Sequence, residues 1–193
     1  SSVDLVHFTI LRQPEKQDGV PVSELSLIAF PTRELFMEKI DDFDLIIFDR
    51  YRRRGILPGA YLENIRNYVE QGGAVLISSG PEYGSAESIY RSPLGDILPG
   101  APTARVFEEG FTPQITDLGQ RHPVTEGLDS FAPNAEGEGP GWGRWFRLID
   151  VLVPEQAQTV MSGLDNRPLL ILNRIGEGRV SLIASDQSWL WDR

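Results

Sequence analysis

The stretch from Asp42 to Gly80 constrains the fold of this chain more than any other. Leu45–Phe48 and Ala74–Ile77 are short, unbroken apolar runs rich in branched residues and bounded by turn residues, which is how strands covered on both faces read. Between them Tyr61, Leu62, Ile65, Tyr68 and Val69 recur at helical spacing and form one apolar stripe, with Glu63, Asn64, Arg66 and Asn67 on the outer face. Pro58 stands near the start of this helix, where its missing N–H costs nothing, and Gly72-Gly73 supplies the stop. Strand, helix and strand in this order predict a right-handed parallel crossover unit.

The flanks extend the pattern in two ways. Upstream, Val3–Leu11 reads as a first strand, the stretch from Arg12 to Val22 as a loop, and Leu25–Phe30 as a second strand. Pro31-Thr32 then opens a short helix carrying Leu35, Phe36, Lys39 and Ile40. This β–α alternation predicts a flavodoxin-like, doubly wound, mostly parallel sheet with helices on both faces. Downstream, Ser85–Tyr90 suggests a short helix, Leu94–Pro102 a Gly- and Pro-rich connection, and Ala104–Ile115 an exposed antiparallel strand. Pro133–Gly143 reads as a surface loop. Thr159–Gly163, Leu169–Asn173 and Val180–Ala184 read as strands, the last two joined by a hairpin at Gly176-Glu177-Gly178. The expectation is one domain over residues 1–193, a parallel core with an antiparallel C-terminal extension. The opening Ser1-Ser2 and the ending Trp191-Asp192-Arg193 suggest a soluble piece of something longer.

Composition removes several chemistries. A net charge of -10 argues against nucleic acid and anionic membranes as partners. The chain has no cysteine, so it can hold no disulfide, thiolate metal site or Cys nucleophile. Two histidines, His7 and His122, are too few for a His-rich metal site, and no cofactor or metal is expected. No apolar run reaches the roughly 18 residues that span a bilayer.

In doubly wound sheets ligands sit beyond the carboxyl ends of the strands, which points to Asp49, Arg50–Gly55, Ser78-Ser79-Gly80 and Ser185-Asp186. Arg50, Arg52, Arg53 and Arg54 concentrate positive charge between a strand end and a helix start in an otherwise acidic protein. Such a loop can take a carboxylate, a phosphate or an acidic protein surface, or can simply pair with neighbouring acids. Tyr51 within it favours a contact surface. Ser78 or Ser79 stands where a nucleophile elbow would, but G-x-S-x-G is absent, and the base would have to be His122, since His7 falls in a strand as a structural residue. Asp41, Asp42 and Asp44, Glu108 and Glu109, and Glu136 and Glu138 read as caps or solvated charges, whereas Asp186 ends a strand at the ligand edge. The G-E-G-P-G-W-G-R-W segment is no phosphate loop, because no lysine or Ser/Thr follows its glycines at the needed spacing. Trp142, Trp145, Trp189 and Trp191 could line a patch, with core anchoring expected for at least two.

Taken together, D-L-I-I-F-D-R-Y, Y-V-E-Q-G-G and A-V-L-I-S-S-G resemble the strand–helix–strand centre of the class I glutamine amidotransferase-like superfamily. R-H-P-V-T-E-G-L and G-E-G-R-V-S-L-I-A-S-D-Q-S-W-L-W resemble a bacterial branch in which such a domain belongs to a membrane-anchored protein of unassigned function. Class I amidotransferases use a Cys at the elbow with a late His and Glu, whereas this chain carries Ser78-Ser79-Gly80 there and no His-x-Glu pair in its last third. An unassisted serine hydroxyl does not replace a thiolate in attacking an amide. The resemblance therefore implies a catalytically degenerate domain that binds a small anionic ligand or a protein partner. Its attachment to a membrane would run only through parts outside this chain, with the periplasmic face the expected side. A serine hydrolase using Ser78 or Ser79 with His122 remains the alternative.

Overall fold

A computed structural model describes residues 3–7, 31–55, 57–131 and 141–191. Its centre is the expected unit: β1 (Ile46–Asp49), α1 (Gly59–Glu70) and β2 (Ala74–Ser78), with β1 and β2 parallel. Leu62, Ile65, Tyr68 and Val69 are buried, so the apolar stripe faces the core. The stop signal divides between two glycines. Gly72 takes φ 124°, and a Cβ on Gly73 would stand 2.2 Å from the Tyr68 ring. That ring is pinned there because Tyr68 Oη donates to the Phe43 carbonyl at 2.7 Å.

The remaining strands are β3 (Ala101–Phe107), β4 (Gln114–Ile115), β5 (Leu148–Leu152), β6 (Gln158–Ser162), β7 (Pro168–Ile175) and β8 (Gly178–Ile183). Six of the strands form one mixed sheet in the order β1-β2-β8-β7-β6-β4. β8 lies parallel to β2, while β7, β6 and β4 follow as antiparallel neighbours. The C-terminal third thus supplies both the third parallel strand and the antiparallel extension. Phe48, Ile77 and Leu182 share one register row and are all buried, which places the core on that face of the sheet. β3 and β5 make a separate antiparallel pair against this face. A Cβ on Gly100 would meet Leu182 Cδ2 at 2.7 Å and Val151 Cβ at 3.2 Å, so the chain enters β3 close against the sheet.

The sequence reading differs from the structure at several places. The architecture is a mixed α/β sheet in which α1 is the one long helix among the described residues. The turns at 34–38 lie on the same side as α1, since Asn64 Nδ2 donates to the Phe36 carbonyl at 2.6 Å. Helices on both faces are therefore not seen among the described residues. Val3–His7 is exposed and pairs with no strand among the described residues, so His7 holds no strand position there. Phe8–Leu11, Leu25–Phe30 and most of Pro133–Gly143 lie outside the described residues. In place of the helix at Ser85–Tyr90 there are turns and a single 3-10 turn, Ile89–Arg91, which Ser88 caps by accepting from the Tyr90 amide. No helix among the described residues is long and apolar enough to cross a membrane.

Candidate functional site

The parallel strands β1, β2 and β8 end together, and their carboxyl edge gathers Asp49, Arg50, Ser78, Ser79 and Asp186 as expected. Arg50 turns the chain with φ 45° and donates its amide to the Ser78 carbonyl at 2.9 Å. Its guanidinium lies 3.8 Å from the Asp186 carboxylate, so the structure joins two of the sequence candidates directly. The Asp186 side chain is only 4% exposed, and its main partner is Arg147, whose Nη1 stands 3.0 Å from Oδ2. Arg147 also reaches Glu108 at 3.3 Å. Burial works against the Arg147 charge, but Asp186 and Glu108 outweigh it and hold its pKa above the ordinary value. Asp49 is exposed at the end of β1.

A second carboxylate reaches this edge. Glu82, 6% exposed, accepts the Gly80 amide at 2.8 Å. A Cβ on Gly80 would stand 2.7 Å from Glu82 Oε2 and 3.2 Å from Asp186 Oδ2, so the two acids flank one glycine and a larger residue there would push the Glu82 carboxylate aside. The sequence signal for Glu82 was its place two residues after Gly80, close enough to close a local turn. Arg147 and Glu108 carry no local signal, since both lie 39 or more residues from Asp186 in the chain.

The serines are arranged differently from a catalytic pair. Ser79 is 1% exposed, and its hydroxyl donates to the Ile183 carbonyl at 2.8 Å. His122 follows a 3-10 turn after β4, and its Nδ1 accepts from the Val124 amide at 3.2 Å. That turn packs on β6, where a Cβ on Gly119 would lie 2.0 Å from the Val160 carbonyl oxygen. β8 and β7 stand between β2 and β6, a separation of three strand spacings or about 14 Å. No hydrogen bond joins His122 to Ser78 or Ser79 among the described residues.

The arginine loop is braced against the segment that follows β2. Arg52 bridges Ser88, and the Arg53 amide donates to the Glu87 carbonyl at 2.9 Å. Arg54 pairs with Glu87 at 3.5 Å. Tyr51 packs edge-on against Phe48, with ring centres 5.3 Å apart, and ties the loop to the core. Arg53 Nη1 donates to the Arg91 carbonyl, while Arg91 Nε donates to the Ser85 carbonyl at 3.2 Å. The two arginines wall a cleft of about 260 Å³ with Leu57, Gly59 and Ser92, and no Asp or Glu lines it. The amino end of α1 opens there through Gly59, behind Pro58, which offers no side-chain cap. Arg91 was not singled out by the sequence; only the bracing contact brings it to the loop.

The tryptophans divide as expected. Trp142 and Trp145 are buried core anchors, and Trp142 stacks on Trp191 at 4.5 Å, whereas Trp189 is exposed. Among the described residues no group of three or more His, Cys, Asp or Glu side chains could hold a metal ion.

No family model matches this chain, and no curated protein does. Solved structures show what the fold is similar to. A cytoplasmic protein of Salmonella typhimurium superposes with a TM-score of 0.61 at 20% identity, over 82% of this chain and 65% of its own. A second cytoplasmic protein, from Salmonella typhimurium LT2, gives 0.58 at 21%, over 77% and 63%. The N-terminal domain of mmIFT52 gives 0.55 at 14%, over 82% and 70%. The chain thus spans less than two-thirds of either Salmonella protein, and likeness at these identities is a likeness of fold.

Proposed function

We propose that this chain is a catalytically silent, amidotransferase-like domain that binds an acidic ligand or partner surface through its arginine loop. The observation that carries this reading is the cleft beside Arg53 and Arg91. In a chain of net charge -10, Arg53, Arg91 and the start of a helix without a side-chain cap line a cavity with no carboxylate in its wall. Guanidiniums bind carboxylates and phosphates through charge-assisted, often bidentate hydrogen bonds, and the amides at a helix start add to the attraction. In this reading the amidotransferase-like lineage rests on the resemblance of the segments that form β1, α1 and β2. In the same reading the parent fold is flavodoxin-like and doubly wound, and the domain belongs to a bacterial membrane-anchored protein, facing the periplasm.

Citrate is a suitable probe for the loop. Replacing Arg52, Arg53 and Arg54 together by serine weakens citrate binding at least about tenfold in calorimetry, because each charge-assisted hydrogen bond contributes roughly 1.5–3 kcal/mol. Thermal stability changes little, since these side chains are exposed and their ion pairs are surface pairs. Equal affinity in wild type and variant would remove the loop from the account.

The alternative, a serine hydrolase using Ser78 or Ser79 with His122, makes the opposite claim about one experiment. With its hydroxyl donated to a backbone carbonyl and no base in contact, Ser79 has nothing to accept its proton. A fluorophosphonate probe therefore leaves the protein unlabelled at neutral pH. Labelling that is lost in Ser78→Ala or Ser79→Ala would establish the hydrolase instead.

A further inference from the structure

Given that the cleft beside Arg53 and Arg91 takes an anion, the rest of its wall restricts what that anion can carry. Apart from the two arginines, none of its described lining residues is charged. Leu57 and Leu62 are buried and form its base. Pro58 and Pro93 flank them, and neither has a backbone N–H to offer. The Pro58 carbonyl is already taken by the Tyr61 amide at 3.0 Å. Ser92 brings a hydroxyl, but that group is spent: it donates to the Ile89 carbonyl at 2.6 Å and accepts from the Leu94 amide at 3.2 Å. The Ser92 backbone is spent as well, its amide on the Ile89 carbonyl at 3.1 Å and its carbonyl on the Gly95 amide at 2.9 Å.

The guanidiniums are tethered without being used up. Arg53 gives Nη1 to the Arg91 carbonyl and Arg91 gives Nε to the Ser85 carbonyl, and a guanidinium has five N–H groups. Both arginines are exposed, so positive charge stands at the rim and hydrocarbon at the base. The first-turn amides of α1, which have no intrahelical acceptors, open at the same rim through Gly59. A Cβ on Gly59 would meet nothing within 4 Å, so the space beside this helix start is open.

We propose that the cleft selects a small monocarboxylate with an apolar body, such as a branched short-chain acid. Its carboxylate meets the arginines at the rim, and its hydrocarbon lies over Leu57 and Leu62. A second acid group, a hydroxyl or an amide on that body would give up water and find no partner at the base. The volume of about 260 Å³ lies just under the range of roughly 300–1,000 Å³ that holds drug-sized molecules, which suits an acid of this size. This proposal rests on the anion-binding reading of the same cleft.

The test is an amide NMR titration of the unaltered chain with 4-methylpentanoate, set against acetate, 4-methylpentanamide and N-acetylleucine. The expected result is saturable shifts at Gly55, Leu57, Gly59, Leu62 and Ser92, with 4-methylpentanoate binding at least about tenfold more tightly than acetate for its added hydrocarbon. The uncharged amide binds at least about tenfold more weakly than the acid, because it loses the charge-assisted hydrogen bonds. N-acetylleucine carries the same carboxylate and isobutyl group as the end of a protein chain would, and it also binds more weakly, since its acetamido group is desolvated without a partner. Equal affinity for 4-methylpentanoate and acetate, where citrate still shifts the same residues, overturns this proposal and leaves the anion site standing. N-acetylleucine binding as tightly as the free acid also overturns it, by assigning the cleft to a chain end. If neither citrate nor any of the acids shifts these residues, the anion site falls and this proposal with it.

Discussion

Asp150→Asn lowers folding stability by about 3 kcal/mol at neutral pH, at the lower end of what breaking a buried ion pair costs. Asp150 lies in the middle of β5 and is 5% exposed. Its Oδ2 accepts from Thr103 Oγ1 at 2.6 Å and from Arg105 Nη2 at 3.0 Å, and its Oδ1 from Arg167 Nη1 at 2.8 Å. One carboxylate therefore ties β3, β5 and the turn before β7 together. Arg167 also lies over the Phe107 ring, 4.4 Å from its centre, which fixes the guanidinium in place. Neutralising Asp150 leaves Arg167 facing a neutral amide, whose oxygen can accept one hydrogen bond but does not balance its charge. Arg105 is more exposed and returns to water, which keeps the loss from being larger.

The same group gives a pH signature. Burial alone would raise the Asp150 pKa, but the hydrogen bonds from Thr103 and Arg105 and the charges of Arg105 and Arg167 outweigh it and hold the carboxyl below its ordinary value. The folded state thus binds this proton less tightly than the unfolded state does. The stabilisation is fully present above the unfolded pKa of about 3.9, and it is lost as pH falls through the lower folded value. Urea denaturation of wild type and Asp150→Asn shows a wide gap at pH 7 that narrows below about pH 4. A gap that stays constant down to pH 2.5 would mean that the carboxylate contributes no charge-dependent stability.

Gly178→Ala is expected to be nearly as damaging, at about 3 kcal/mol, the upper range for overpacking. Gly178 opens β8 where the β7–β8 hairpin meets the end of α1. A Cβ there would stand 1.9 Å from the Val69 carbonyl oxygen and 2.4 Å from that of Gly73. Both obstacles are backbone, and neither can give way. The Glu177 amide donates to the Glu70 carbonyl and the Arg179 amide to the Gly73 carbonyl, each at 3.1 Å, so the hairpin is bonded to the groups it would have to leave. Gly59→Ala is the control, because nothing lies within 4 Å of a Cβ at that position. It should be neutral or stabilise by up to about 1 kcal/mol, through lower entropy of the unfolded chain. Chemical denaturation of both variants distinguishes close approach from mere loss of a glycine.

The parts of this fold that were legible in the sequence are those whose signal is local. The β1–α1–β2 unit declared itself through two apolar runs, one helical stripe, Pro58 and the paired glycines. β6, β7 and β8 did so through alternation and the Gly176-Glu177-Gly178 turn, where Gly176 takes φ 57°. The seat of β8 beside β2 had no such signal, because it joins segments about a hundred residues apart through backbone hydrogen bonds that any strand can make. The helical expectation at Ser85–Tyr90 failed where Ser88 and the nearby Pro93 and Gly95 favour successive short turns over a helix. At the site, Asp186 and the arginine loop could be placed from strand ends alone. Arg91 and Arg147 enter through tertiary contacts, so residue type and spacing did not reveal them, whereas Glu82 acts through a local turn two residues from Gly80.

The most direct test of the arginine cleft is a map of where an anion goes. In an amide NMR titration with citrate, the proposed function predicts saturable shifts confined to Arg53, Gly55, Gly59, Arg91 and Ser92, around the cleft of about 260 Å³. Raising the salt concentration should weaken them, as screening of exposed charge requires. No saturable shift, or shifts centred away from this cleft, would contradict the claim that the arginine loop is the binding surface of this domain.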